Sequence, residues 1–247
     1  MRKITAVAML AALALLVFAQ AGSNALSGFA KALNSAESLD VQYTIQTIGG
    51  TPDSYKVSLS KPNKARIDKP SELTVADGTT ITVFDKKTKT YYKRPQTPGD
   101  LGGIFSADDV SLWAAFFNGD VYSKANATSK GTKNRKGTKM NVVEAKMDHT
   151  GRKQMVFYID PADNVARQAE ITYHEGKEKL ITIIDAKSLT LGEKLDDAMY
   201  AFKAPDGARE LTAEEMNADR WYTDLEEAKK VAVATKRAIF VDFYADW

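Results

Sequence analysis

Apolar residues recur every three or four positions early in the chain and every two positions after that. Leu26, Phe29, Ala30 and Leu33 fall at i, i+3, i+4 and i+7, which puts one apolar stripe on a helix ending near Ser38. The period then changes. Val41, Tyr43, Ile45 and Thr47 alternate with Asp40, Gln42, Thr44 and Gln46, predicting a half-buried strand that Gly49-Gly50 ends. Tyr55, Val57 and Leu59 repeat the pattern until Pro62 breaks it. Thr79, Ile81 and Val83 alternate after the Asp77-Gly78 turn, and Tyr91-Tyr92 close a short strand before Pro95. Further strands are predicted over 140–147, over 155–159, around Ile171 and Tyr173, and over 180–184. Turn signals roughly every ten residues predict an antiparallel meander or barrel.

One helix interrupts the strands. Ser106 and Asp109 make a capping pair, Asn118-Gly119 is a stop signal, and Val110, Leu112, Trp113, Phe116 and Phe117 lie between. So short and aromatic a helix would cover the apolar face of an open sheet. From Phe202 to Arg220 the texture turns polar, which predicts a domain end and a linker over 212–220. Behind Trp221, a capping box of Thr223 and Glu226 opens a helix with Leu225, Ala228, Val231 and Ala232 inward. The run Ala238-Ile239-Phe240-Val241-Asp242-Phe243-Tyr244 is almost continuously apolar and predicts a fully buried strand of an α/β sheet.

The first residues change the picture of where the protein works. Arg2 and Lys3 precede an apolar run over 4–18, and small residues follow at Ala19-Gln20-Ala21 and Ser23-Asn24-Ala25. A basic start, a short apolar run and a small-residue exit predict a cleavable signal peptide over 1–25, cut after Ala21 or Ala25, and hence a periplasmic protein. The run is short for a membrane span of ~20 residues.

Composition and charge narrow the chemistry. The formal net charge is +2, and without Arg2 and Lys3 acids and bases balance, so a nucleic-acid partner is not expected. Cysteine is absent, so no disulfide staples an exported fold and no thiol acts in this chain. His149 and His174 each stand alone, so no metal is expected. No nucleophile elbow, phosphate loop or dinucleotide fingerprint occurs, and neither catalytic residues nor a cofactor are expected. Carboxylate pairs stand at Asp108-Asp109, Asp196-Asp197, Glu214-Glu215 and Glu226-Glu227. Two of these fall in first turns of predicted helices, where they offset the macrodipole. Lys124, Lys130, Lys133, Arg135, Lys136 and Lys139 form a basic run with no acid among them. It reads as a solvated hairpin loop, with an anionic membrane surface or an acidic partner as the functional alternative.

Two stretches resemble known families. Val57-Ser58-Leu59-Ser60-Lys61-Pro62-Asn63-Lys64-Ala65-Arg66, Ala76-Asp77-Gly78-Thr79-Thr80-Ile81-Thr82-Val83-Phe84-Asp85 and Tyr200-Ala201-Phe202-Lys203-Ala204-Pro205-Asp206-Gly207 resemble, in order, the LolA-like periplasmic lipoprotein carriers. The resemblance covers most of 26–211 and implies a mainly β (α+β) fold, an open antiparallel half-barrel with an N-terminal helix and a short lid helix. It further implies a non-catalytic carrier that holds an acyl chain or a lipidated protein. Phe29, Leu33, Trp113, Phe116 and Phe117 would line that cavity and lid. Lys61 stands where the carriers have an arginine that holds the lid shut, and it lacks the guanidinium fork. The tail Phe240-Val241-Asp242-Phe243-Tyr244-Ala245-Asp246-Trp247 resembles the first central strand of thioredoxin-like domains, in which Cys-x-x-Cys follows the tryptophan. On that resemblance, 221–247 is an incomplete α/β segment. The alternative function is then a piece of a thiol–disulfide oxidoreductase whose cysteines lie just beyond Trp247.

Overall fold

The computed structural model describes residues 2–147, 150, 152–175, 178–216 and 222–241, with only the backbone of 2–17, Glu175 and Glu178. His149, Trp221 and residues 242–247 lie outside the described residues.

The chain begins with helix α1 (Arg2–Ser35), one continuous helix through the predicted leader. Its buried stripe is Gly22, Leu26, Phe29, Ala30 and Leu33, one turn longer than the sequence predicts. A Cβ on Gly22 would lie 2.6 Å from the backbone of Thr128 and Ser129, so the helix rests directly on the sheet there. Among the described residues no helix is long and apolar enough to cross a membrane.

Six strands follow: β1 (Ser38–Thr47), β2 (Asp53–Ser60), β3 (Lys64–Asp68), β4 (Glu72–Ala76), β5 (Thr80–Asp85) and β6 (Thr90–Pro95). Helix α2 (Asp100–Ile104) and a 3-10 turn (Ser111–Phe116) interrupt. Five more strands complete a second run: β7 (Asn126–Arg135), β8 (Thr138–Lys146), β9 (Lys153–Ile159), β10 (Ala166–Glu175) and β11 (Glu178–Leu191). The tail carries a second 3-10 turn (Asp197–Tyr200), β12 (Arg209–Glu210), α3 (Ala213–Met216) and α4 (Leu225–Thr235).

The protein is therefore mainly β, built on one open sheet in the order β12-β6-β5-β4-β3-β2-β1-β11-β10-β9-β8-β7. Every pairing is antiparallel except β12 on β6. The two runs meet where β1 pairs with β11, Leu39 opposite Leu191. Strand periodicity sorts the faces. The row Ile45, Ile184, Ala169, Phe157 and Val143 lies on the inner face, and its neighbour row Thr44, Asp185, Gln168 and Tyr158 on the outer. Phe29 packs on Phe157 at 6.0 Å and Trp113 on Tyr43 at 5.6 Å, so α1 and the first 3-10 turn both cover the inner face. A smaller cluster of Leu73, Val75 and Phe84 is covered by Tyr91, Phe202 and Ala208.

Three sequence expectations need correction. The aromatic segment is a 3-10 turn, not an α-helix from Ser106. Leu112, Trp113, Ala114, Ala115 and Phe116 are all buried, a demand that a one-striped helix cannot meet. Ser106 Oγ bonds the Gly103 carbonyl instead of capping, and the Asp109 carboxylate reaches Lys69 at 2.8 Å. The basic run is strand β7 and the start of β8, joined by a two-residue turn at Lys136 and Gly137 with φ of 51° and 85°. Acids on neighbouring strands supply what the run lacks, with Lys130 on Glu144, Arg135 on Glu170 and Lys136 on Asp185. Residues 238–241 form no strand, and Phe240 is 80% exposed. A strand needs a ladder partner, and none lies beside this segment among the described residues. Helix α4 does form, but Asp224 caps it in place of Thr223, accepting from the N–H of Glu226 and Glu227. Leu225 on it is 52% exposed rather than inward.

Candidate functional site

The inner face and the segment from α2 to the first 3-10 turn enclose one aromatic cluster. β1 points Tyr43 inward and β9 points Phe157 inward, as their alternation dictates. Helix α1 brings Phe29 between Tyr122 and Phe157, with ring centroids 5.9 and 6.0 Å away. Trp113 meets Tyr43 edge-on. Phe117 packs against Phe105 at 5.7 Å and Phe116 at 4.9 Å. The structure thus brings Phe29, Leu33, Trp113, Phe116 and Phe117 into one cluster, the first four wholly buried and Phe117 partly so.

Polar ties hold this covering segment at three points. At its C-terminal end the Phe116 carbonyl accepts from Lys61 Nζ at 2.5 Å and from Asn34 Nδ2 at 3.2 Å. The same ammonium sits 4.8 Å above the Phe116 ring, a cation–π contact. Burial lowers the Lys61 pKa, opposed by Glu37. At the other end Asp109 pairs with Lys69 at 2.8 Å, and its carbonyl accepts the Tyr43 hydroxyl at 2.8 Å. In the third tie Asp108 accepts from Lys153 and from the Tyr173 hydroxyl. Burial would lower the Lys153 pKa, but its bonds to Asp108 and Tyr173 outweigh that and raise it. Burial, helped by the Asp109 charge, lifts Tyr43 well above the ordinary phenol range.

Two buried polar atoms of this site, Asp109 Oδ1 and Trp113 Nε1, have no hydrogen-bond partner. Each carries a desolvation cost that an added polar group or a movement of the segment would relieve. The lid segment is therefore joined to the sheet by aromatic packing inside and single polar ties at its rim. Asp108-Asp109 serve as those ties, not as first-turn charges of a helix. Asn34, Lys69, Lys153 and Tyr173 were not singled out from the sequence. Lys and Asn carry no periodic signal, and their partners are distant in the chain.

No family model matches the chain, and no curated protein matches it. Among solved structures, an uncharacterized conserved protein from Thermus thermophilus is similar over 76% of this chain and 96% of its own, at 13% identity and a TM-score of 0.49. LprF from Mycobacterium bovis is similar over 75% of this chain and 96% of its own, at 12% identity and a TM-score of 0.43. A LolA superfamily protein from Nitrosomonas europaea covers 75% and 98%, at 11% identity and a TM-score of 0.36. Likeness at this level leaves the function to be read from the chain's own residues.

Proposed function

We propose that the protein is an exported, non-catalytic carrier that holds an acyl chain or another apolar ligand between α1, the aromatic 3-10 turn and the inner face of the sheet. One observation carries the reading: a fully buried aromatic cluster lies beneath a covering segment that is not regular structure and is tied down by a few polar contacts. Ordinary cores are closed by helices or strands whose backbone ladders lock them. Here the cover can lift once Lys61, Lys69 and Lys153 release it, and apolar rings then face the incoming ligand. The unpaired Trp113 and Asp109 atoms weaken the closed state further. The binding unit is 26–211, with 1–25 as leader, and the ligand is an acyl chain, free or on a lipidated protein. The resemblance to lipoprotein carriers points the same way.

Protein purified from a periplasmic extract should carry lipid extractable into organic solvent, at about one chain per molecule. Phe116→Glu should lower that load, and Phe117→Glu, at a half-buried position that tolerates a charge better, should do so without unfolding. Protein that is lipid-free and takes up no fluorescent fatty acid would sink the proposal.

A further inference from the structure

The largest groove in the molecule lies on the other side of the sheet from this site. It holds about 690 Å³ and is lined by outward residues of β1 and β8 to β11. That volume is in the range that takes small ligands. Its polar wall carries four cations, Arg135, Lys136, Arg167 and Lys187, against two carboxylates, Asp160 and Asp185. Met140, Tyr158 and Ile183 supply apolar surface.

The carboxylates are already occupied. Asp185 accepts from Lys136 at 2.9 Å and from Lys187 at 2.6 Å. Asp160 faces Arg167 at 3.8 Å, and Glu170 beside the groove takes Arg135 at 3.3 Å and the Tyr158 hydroxyl at 2.7 Å. The arginines are not fully satisfied in return. Arg135 Nε and Arg167 Nη1 are both shielded from water and have no hydrogen-bond partner. Arg135 is also braced flat on the Tyr158 ring, 4.5 Å from its centroid. Two guanidinium groups with unmet donors, two lysines at the rim and an apolar floor describe a receptor for a phosphate group with an apolar part attached. Guanidinium forks match the oxygens of a phosphate, and an anion between them satisfies donors that now cost free energy.

We infer that this outer groove binds the phosphate headgroup of an anionic phospholipid. Arg135 and Arg167 grip the phosphate, Lys136 and Lys187 add charge, and Met140, Tyr158 and Ile183 contact the glycerol and first methylenes. The inference does not rest on the carrier reading, because the groove shares no residue with the aromatic cluster.

Titration calorimetry of the full chain with water-soluble dihexanoyl phosphatidylglycerol tests it, with dihexanoyl phosphatidylcholine, inorganic phosphate and a polyglutamate peptide in parallel. Saturable binding of phosphatidylglycerol, weaker in high salt, is expected. Arg135→Gln with Arg167→Gln should weaken it by about tenfold or more, the loss of one charge-assisted contact. Lys187→Gln, at an exposed site that cannot threaten folding, should weaken it less, and Lys133→Gln outside the groove not at all. Phe117→Glu should leave it unchanged, which separates this groove from the inner site. Equal binding of inorganic phosphate would retain the groove as a phosphate site and identify the free ion as its source. No binding of either phosphate ligand, equal binding of phosphatidylcholine, binding that survives the arginine changes, or binding of polyglutamate alone would each overturn the inference.

Discussion

Gly22 is the residue on which α1 turns toward the sheet. Its missing Cβ lets the helix backbone touch that of β7 at Thr128 and Ser129. Gly22→Val should cost about 1–3 kcal/mol through overpacking, read as a lower Tm, whereas Gly99→Ala, where a Cβ meets nothing, should cost far less. Trp113→Ala, which empties a wholly buried site, should cost about 3–5 kcal/mol in a denaturant titration. Acid acts through particular carboxylates. Burial raises Asp77, but hydrogen bonds from the Thr79 and Thr80 N–H groups pull harder and leave it below the usual range. Arg209 holds Glu215 at about 2. Depressed folded-state values contribute stability above the unfolded pKa of about 4 and lose it as pH falls through the folded values. Tm should therefore hold near neutral pH and fall below pH ~4. At this scale the sequence was legible where side chains repeat: Leu26, Phe29 and Leu33 were found by spacing, as was Tyr43. Gly22 was not, because glycine adds nothing to an apolar pattern.

Among the elements, long alternating strands were readable and short or polar ones were not. β1, β2, β5, β6 and β8 to β11 announce themselves by inward residues two apart. β3 and β4 have five residues each, too few for a period. β7 reads NATSKGTKNR and buries only Ala127, since it is an edge strand whose ladder to β8, not its side chains, makes it a strand. The cover segment misled for the opposite reason. It is apolar all round, so its tight 3-10 path follows from the sheet beneath it and not from any stripe of its own. Its fastening is testable. Lys61→Met removes the charged donor to the Phe116 carbonyl while Asn34 keeps the other bond. Uptake of a fluorescent fatty acid should quicken by about tenfold, for a charged hydrogen bond worth about 1.5 kcal/mol, with little change in Tm. Unchanged uptake would mean that the tie does not gate the inner face.

Across the whole molecule, two meanders share one sheet. β1 to β6 and β7 to β11 are each assembled from neighbours in sequence, and only the β1–β11 ladder joins them. That join was beyond the reach of local pattern, which specifies hairpins but not which distant strands will meet. It also sets a timetable. Ser38 donates to the Glu193 carbonyl, 155 positions onward, so the seam closes only when almost the entire sheet is available. A chain delivered from its N-terminus would carry β1 with one open edge, and α1 with no β7 to lie on, for most of its synthesis or passage across a membrane. Chains ending before Glu178 should accordingly remain sensitive to protease, and longer ones that include Glu193 should become resistant together across both meanders. Until then an unpaired edge and an apolar face invite wrong partners. The single seam thus makes this protein a late folder that depends on being held soluble until its last long strand arrives.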